Sequence, residues 1–284
     1  MAEAGAGRQA GRAVDDKGKR RNATTDSPAV DAGLQLRASD ELSVAGPSSE
    51  RRRELLRLEQ RTLQMRNDGH HDQQALNDKI GWLEADGVSH TALPAAFLAE
   101  RDTISANLLE RYGSRSVLDI PGVAEARSMF HRLGVDPTKT RPSSEALLRR
   151  VLQAKPLPEI DPVVDVCNLA SLEHQFPLGL YDRAFVKGGV FARVGREGEG
   201  YDGIRKARVN LSARPLLADD GGPFGAPTSD SARTQVTERT NALLLVVFGP
   251  AERSGEQLSG MLARTAELLV RYCGATIRVV RTIQ

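Results

Sequence analysis

The sequence predicts an α+β fold, a mixed β-sheet with packed helices, preceded by a disordered N-terminal tail. Three observations predict it. Capped, amphipathic helical patterns succeed one another from Ala95 to the region of His174. After Asp182 the texture changes to short β-branched segments separated by glycines. The chain then closes with an apolar strand, an amphipathic helix and a last strand, and shows no repeating βαβ array.

Residues 1–50 are rich in Ala, Gly, Asp, Ser and Arg and lack apolar periodicity. Such a segment buries too little surface to offset chain entropy, so disorder is expected. Residues 51–94 read as a helical or flexible segment. Ser48, Ser49 and Glu50 can start a helix running to about Arg66 on Leu55, Leu56, Leu58 and Leu63. Trp82 and Leu83 hint at a small packed patch, and the compact domain is placed at residues 95–284.

A helix signal covers Ala95 to Tyr112, with Gly113 as its stop. Pro121 to Leu133 puts Val123, Ala126, Phe130 and Leu133 on one helical face, followed by Gly134. Arg141 to Glu145 reads as a cap and acidic first turn for a helix with Leu147, Leu148, Val151 and Leu152 buried. Asp161 and Pro162 are a cap and first helical residue for the next. Val186–Val194 and Ile204–Leu211 are read as strands. Ala242–Phe248 has the length of a buried strand, Gly255–Cys273 is an amphipathic helix ended by Gly274, and Ala275–Ile283 is a final strand.

At 284 residues the chain has room for one large domain or two small ones. With 40% hydrophobic but only 4% aromatic residues, its core must rest on Val, Leu, Ile and Ala. A net charge of +2 neither demands nor excludes nucleic acid, because a local basic face suffices to bind it. Cys167 and Cys273 each sit in an apolar run and read as buried, reduced thiols. No run of about 18 apolar residues and no apolar leader are seen, so a cytoplasmic protein without a membrane span is expected.

Gly198–Gly203 matches G-x-G-x-x-G, but a dinucleotide site needs a helix directly after the glycines, and a strand pattern follows here. The five histidines form no set with metal-ligand spacing, so no metal and no cofactor is expected. A nucleophile elbow and a phosphate loop are also missing. Asn168 lies inside a helix pattern, where Asn is a poor former; it is either a structural amide or the wall of a site. The Gly221–Ser231 segment is either an ordinary loop or one that offers backbone N–H groups to an oxygen ligand.

Two strings stand out together. The first runs from Val164 and Asp165 through Asn168, Leu172 and Glu173 to Pro177, Gly179, Tyr181 and Asp182. The second is Gly222-Pro223-Phe224-Gly225-Ala226-Pro227-Thr228-Ser229-Asp230-Ser231, leading into Val236-Thr237 and Thr240. Between them lie Arg196-Glu-Gly-Glu199 and Ala218-Asp219. In this order they resemble the B3/B4 module of the phenylalanyl-tRNA synthetase β chain, in its free-standing form, over residues 120 to 284.

The resemblance implies a B3/B4-like fold and trans-acting hydrolysis of the ester of mischarged aminoacyl-tRNA. It implies Thr228, Ser229 and Asp230 as catalytic and Asn168, Pro177, Gly179, Phe224, Gly225 and Ser231 as substrate-binding, all around one cleft. The implied partner is aminoacylated tRNA. Gly179 stands where many synthetase modules have a His, and Asp230 at or near a family Glu that lines the amino-acid pocket. Hydrolysis of an activated ester needs a placed water and oxyanion donors more than a strong nucleophile. A non-catalytic RNA- or small-ligand-binding module of the same fold is the alternative, and recruitment of a protein partner by residues 1–90 a third.

Overall fold

The computed structural model describes residues 66–67 and 79–283. The expectations for the 1–50 tail, for a helix beginning at Ser48 and for His70 and His71 lie outside these residues. In chain order the strands are β1 (Arg66–Asn67), β2 (Lys79–Asp86), β3 (Leu178–Asp182), β4 (Phe191–Val194), β5 (Gly200–Asp202), β6 (Arg208–Asn210), β7 (Pro215–Asp219), β8 (Gly222–Gly225), β9 (Ala242–Gly249) and β10 (Thr276–Ile283). The helices are α1 (Ala95–Tyr112), α2 (Pro121–Arg132), α3 (Ser143–Leu152), α4 (Pro162–His174) and α5 (Gly255–Cys273). This is an α+β fold.

β9 organises it. One sheet has the order β10-β2-β9-β3 and is antiparallel throughout. Successive side chains of β9 point to opposite faces, and both faces are covered. Leu243, Leu245 and Val247 pack with the helices, whereas Leu244, Val246 and Phe248 pack with a second sheet. Burial on both faces is why β9 reads as an unbroken apolar run. The second sheet, β1-β4-β7-β8, joins a parallel pair, β1 with β4, to antiparallel neighbours. A β5-β6 hairpin covers that sheet's outer side through Tyr201 and Leu211, against Leu216, Ala218 and Ala226.

On the helical side, α4 and α5 carry most of the packing. α5 is opened by a capping box of Ser254 and Gln257 and buries Leu258, Met261, Leu262, Leu268 and Leu269. Asp161 caps α4, accepting from the N–H groups of Val163 at 3.0 Å and Val164 at 3.4 Å. Cys167 and Cys273 are free and buried, and burial pushes both thiols up, Cys273 to about 12.

Several elements differ from the sequence reading. β2 lies in the stretch read as a helical or flexible segment, so the fold begins before residue 95. Its pattern is broken by Gly81 and Glu84, and both have tertiary reasons. A Cβ at Gly81 would lie 2.8 Å from a Leu262 methyl, so the close approach of α5 excludes a side chain. Glu84 is buried and bonds the Arg183 guanidinium at 2.7 Å. Gly113 ends α1 in a right-handed conformation, not a left-handed cap. α3 has Pro142 at its cap position with no side-chain bond. Its Glu145 is buried instead among Arg127 at 3.1 Å, Arg149 at 2.8 Å and Arg141 at 3.5 Å. The strands expected at Val186–Val194 and Ile204–Leu211 shorten to β4 and β6, and the motif residues from 178 to 182 form β3. The G-x-G-x-x-G match spans β5 and starts a hairpin, which leaves no helix N-terminus for a pyrophosphate.

Because Leu245 is fully buried at the middle of β9, Leu245→Ala is expected to cost about 2–5 kcal/mol. Urea unfolding should show a lower midpoint at unchanged slope; a midpoint equal to wild type would contradict the central place given to β9.

Candidate functional site

The site grows from a tyrosine wedged between two sheets. Gly179 and Tyr181 alternate with Leu178 and Leu180 on β3, so they face the second sheet while the leucines face the helices. The Tyr181 ring meets the Phe224 ring of β8 edge-on, with centroids 5.0 Å apart. Its hydroxyl passes between Gly179 and Gly225. A Cβ at Gly179 would lie 2.0 Å from that oxygen, and one at Gly225 2.3 Å. With Tyr181 in this position no side chain fits at 179, a His included. The hydroxyl is buried without a hydrogen-bond partner and faces the Asp230 carboxyl, near enough for each to shift the other.

Asp230 sits on a loop that is anchored on every side. Ser229 N–H closes a turn on the Ala226 carbonyl at 3.3 Å, and Ser231 N–H returns to the Phe224 carbonyl at 3.0 Å. The Tyr201 hydroxyl donates to the Ser229 carbonyl. Ile204 N–H donates to the Asp230 carbonyl at 3.3 Å. Ser231 Oγ accepts from Arg233 N–H at 3.0 Å and starts a short 3-10 turn, Ala232–Thr234. Arg233 then forks onto the buried Asp219 carboxylate with two bonds of 2.9 Å. Asp219 also accepts the Lys187 and Gly221 N–H groups at 2.7 and 2.8 Å. A planar guanidinium matched to a carboxylate in this way is the strong form of ion pair.

Asp230 keeps some surface open, yet protein surrounds its carboxyl. Desolvation raises its pKa from the usual 3.8 to about 7, against the lowering influence of the Tyr181 hydroxyl, the Leu180 N–H and Lys206. Burial, then the Asp230 charge, raises both Tyr181 and Tyr201, so both stay neutral donors. A carboxyl tuned to neutral pH beside an unspent phenol can take a proton from water and orient a polar ligand.

Gly179, Phe224, Gly225, Ser229, Asp230 and Ser231 are brought together here, with Thr228 half-buried in the adjoining turn. Pro177 has a structural task, since its carbonyl accepts Phe248 N–H at 3.1 Å and holds β3 to β9. Asn168 does not join them. It lies on α4, across the β10-β2-β9-β3 sheet, and lines a separate cavity of about 260 Å³ with Phe97, Arg101, Asp165 and Leu169. The expected single cleft is therefore corrected: α4 packs on the helical face, and Gly179 and Tyr181 point to the other. Gly222–Gly225 is strand, which confines the loop proper to residues 226–231. Tyr181 stood in the first motif string without a site role, and Tyr201 was singled out by nothing in the sequence. The signal available for Tyr181 was a glycine two residues before it, and its partner Gly225 was visible only in three dimensions. Among the described residues, His, Cys, Asp and Glu form no metal-holding group, and His90 is held by Asp161 at 2.7 Å and the Thr240 carbonyl at 2.8 Å.

The chain is similar to the phenylalanine–tRNA ligase beta subunit of Nocardia farcinica, with 35% identity over 114 residues, 39% of this chain and 13% of that protein. It is similar to that of Vibrio parahaemolyticus at 28% over 156 residues, 44% of this chain and 19% of that protein. These matches span less than a fifth of either relative's length. Among solved structures, an N-terminal fragment of the phenylalanyl-tRNA synthetase beta subunit from Pyrococcus horikoshii aligns with a TM-score of 0.38 and 13% identity, over 72% of this chain and 50% of that one. The B3/4 domain family model matches residues 125–274, from within α2 to the end of α5, and the chain belongs to the B3/4 domain family.

Proposed function

We propose that this protein hydrolyses, in trans, the ester of mischarged aminoacyl-tRNA, with Asp230 as general base. The observation that carries the reading is the enclosed Asp230 carboxyl, raised to about 7 and faced by the buried Tyr181 hydroxyl. Membership of the B3/4 family and the likeness to phenylalanine–tRNA ligase beta subunits supply the substrate class. Charged tRNA is used in the cytoplasm, and no helix among the described residues is long and apolar enough to cross a membrane.

In this reading Asp230 takes a proton from a water whose oxygen attacks the ester carbonyl carbon. The Thr228 and Asp230 N–H groups make no hydrogen bond within the described residues and are available to the developing oxyanion. The intermediate collapses with cleavage of the bond to the ribose oxygen, which receives the proton back from Asp230. Free amino acid and tRNA leave. Thr228 and Ser229 hydroxyls hold the water or the ester oxygen. The Gly179 position, filled by the Tyr181 hydroxyl, favours a second reading in which the pocket binds an RNA-borne or free ligand without hydrolysing it.

Purified protein incubated with a panel of mischarged tRNAs should release amino acid from at least one. Asp230→Asn is expected to slow release roughly 10²- to 10⁴-fold, and Thr228→Val by about tenfold, the worth of one hydrogen bond. Retained ligand binding with no ester loss in wild type would establish the second reading instead.

The pH dependence follows from the same carboxyl. A base acts when deprotonated, so kcat/KM should rise with pH through about 7. That limb should vanish in Asp230→Asn; its survival there would assign the titration to another group.

Stability runs the other way. The folded state holds a proton that the unfolded chain releases near 3.8, so Asp230 costs stability as pH rises from there to about 7. Asp230→Asn should therefore be more stable than wild type at about pH 8, on the order of 1–3 kcal/mol after allowance for its exposed edge. The two should converge near pH 4, as followed by thermal melting.

A further inference from the structure

We infer that the β5-β6 hairpin docks the phosphate backbone of a single-stranded RNA end, delivering its terminus to the Asp230 loop. This deepens the proposed function by naming the surface that holds the RNA. From Gly203 to Arg214 the chain carries four cations, Arg205, Lys206, Arg208 and Arg214, and no carboxylate. Arg205, Lys206 and Arg208 are exposed, and none of the three makes an ion pair among the described residues. Several arginines elsewhere are spent on carboxylates: Arg193 on Glu199, Arg233 on Asp219, Arg264 on Glu100 and Glu173. The hairpin cations are left for an outside anion.

The hairpin is also tied to the site. Its tip is closed by Lys206 N–H to the Gly203 carbonyl at 3.2 Å, and Gly203 bridges to Ser231. Ile204 N–H bonds the Asp230 carbonyl, and the Tyr201 hydroxyl bonds the Ser229 carbonyl. Packing of Tyr201 and Val209 against Leu216, Ala218 and Ala226 holds the hairpin to β7. Arg205 is kept at φ 52°, a left-handed conformation that a glycine would adopt without strain. A side chain retained at that cost directs a cation outward at the tip. The tip is near enough to Asp230 that Lys206 already lowers the Asp230 pKa. Of the acidic neighbours, Glu197 lies before the hairpin, and Asp202 is the cross-strand neighbour of Arg208 without an ion pair to it among the described residues. An unpaired strand suits this arrangement because its end must pass over one narrow hairpin to reach a loop of six residues, 226–231.

The test is RNA binding by the full chain, measured with a short fluorescein-labelled single-stranded RNA over a range of salt concentrations. The variant Arg205→Gln/Lys206→Gln/Arg208→Gln should bind more weakly. Its slope of log affinity against log salt should be shallower by about 2, the release expected from three single-strand phosphate contacts. A control with three exposed cations changed elsewhere, Arg115→Gln/Lys139→Gln/Lys155→Gln, should keep the wild-type slope. Wild-type affinity and slope in the hairpin variant would overturn the inference, as would a wild type that does not bind the RNA. An equal loss on a blunt RNA duplex would overturn the single-stranded assignment. Ester hydrolysis is read separately, so a protein that binds RNA through the hairpin but releases no amino acid would refute the proposed activity and leave this surface standing.

Discussion

Everything in this fold answers to the burial of β9 on both faces. A strand covered on one side by α4 and α5 and on the other by a second sheet divides the molecule into two interiors. Each residue of its neighbours β2 and β3 is then committed to one interior by parity, because alternate side chains point opposite ways. Leu178 and Leu180 belong to the helical interior; Gly179 and Tyr181 belong to the other. This parity places the candidate site between the sheets and keeps Asn168, on α4, out of it.

The second interior is richer in aromatic rings than the first. Tyr181, Phe224, Trp82 and Phe248 meet there with α2's Met129 and Phe130. Space for the Tyr181 hydroxyl comes from two glycines on different strands, Gly179 and Gly225. The arrangement leaves one donor unpaired and one carboxyl desolvated, both unfavourable in isolation. The surroundings hold them: the Arg233–Asp219 fork, the Ser231 cap and the Tyr201 bond fix the 226–231 loop from three sides. A polar pair kept at a cost inside a rigid frame is how binding and catalytic groups are commonly prepared.

Order in the loop also explains why it was partly opaque in sequence. Its glycines and prolines suggested turns, and three of the five, Gly222, Pro223 and Gly225, instead lie in β8, whose pairing with β7 is made by backbone groups rather than by side chains. β2 was opaque for the opposite reason. Gly81 and Glu84 interrupt its apolar pattern, and each is explained only by a distant residue, Leu262 for the glycine and Arg183 for the acid.

Local chemistry alone determined α1, α4, α5 and β9, since caps, helical stripes and an unbroken apolar run are written within each segment. The ordered strings from Asp165 to Asp182 and from Gly222 to Thr240 also sufficed to suggest the family. What only the tertiary structure decided was which motif residues meet. Asp230, Gly179 and Gly225 converge on Tyr181 because two segments far apart in sequence, β3 and residues 225–230, are packed around one side chain. The raised Asp230 pKa is a property of that enclosure. Desolvation depends on what surrounds a carboxyl in space, and no spacing along the chain records it.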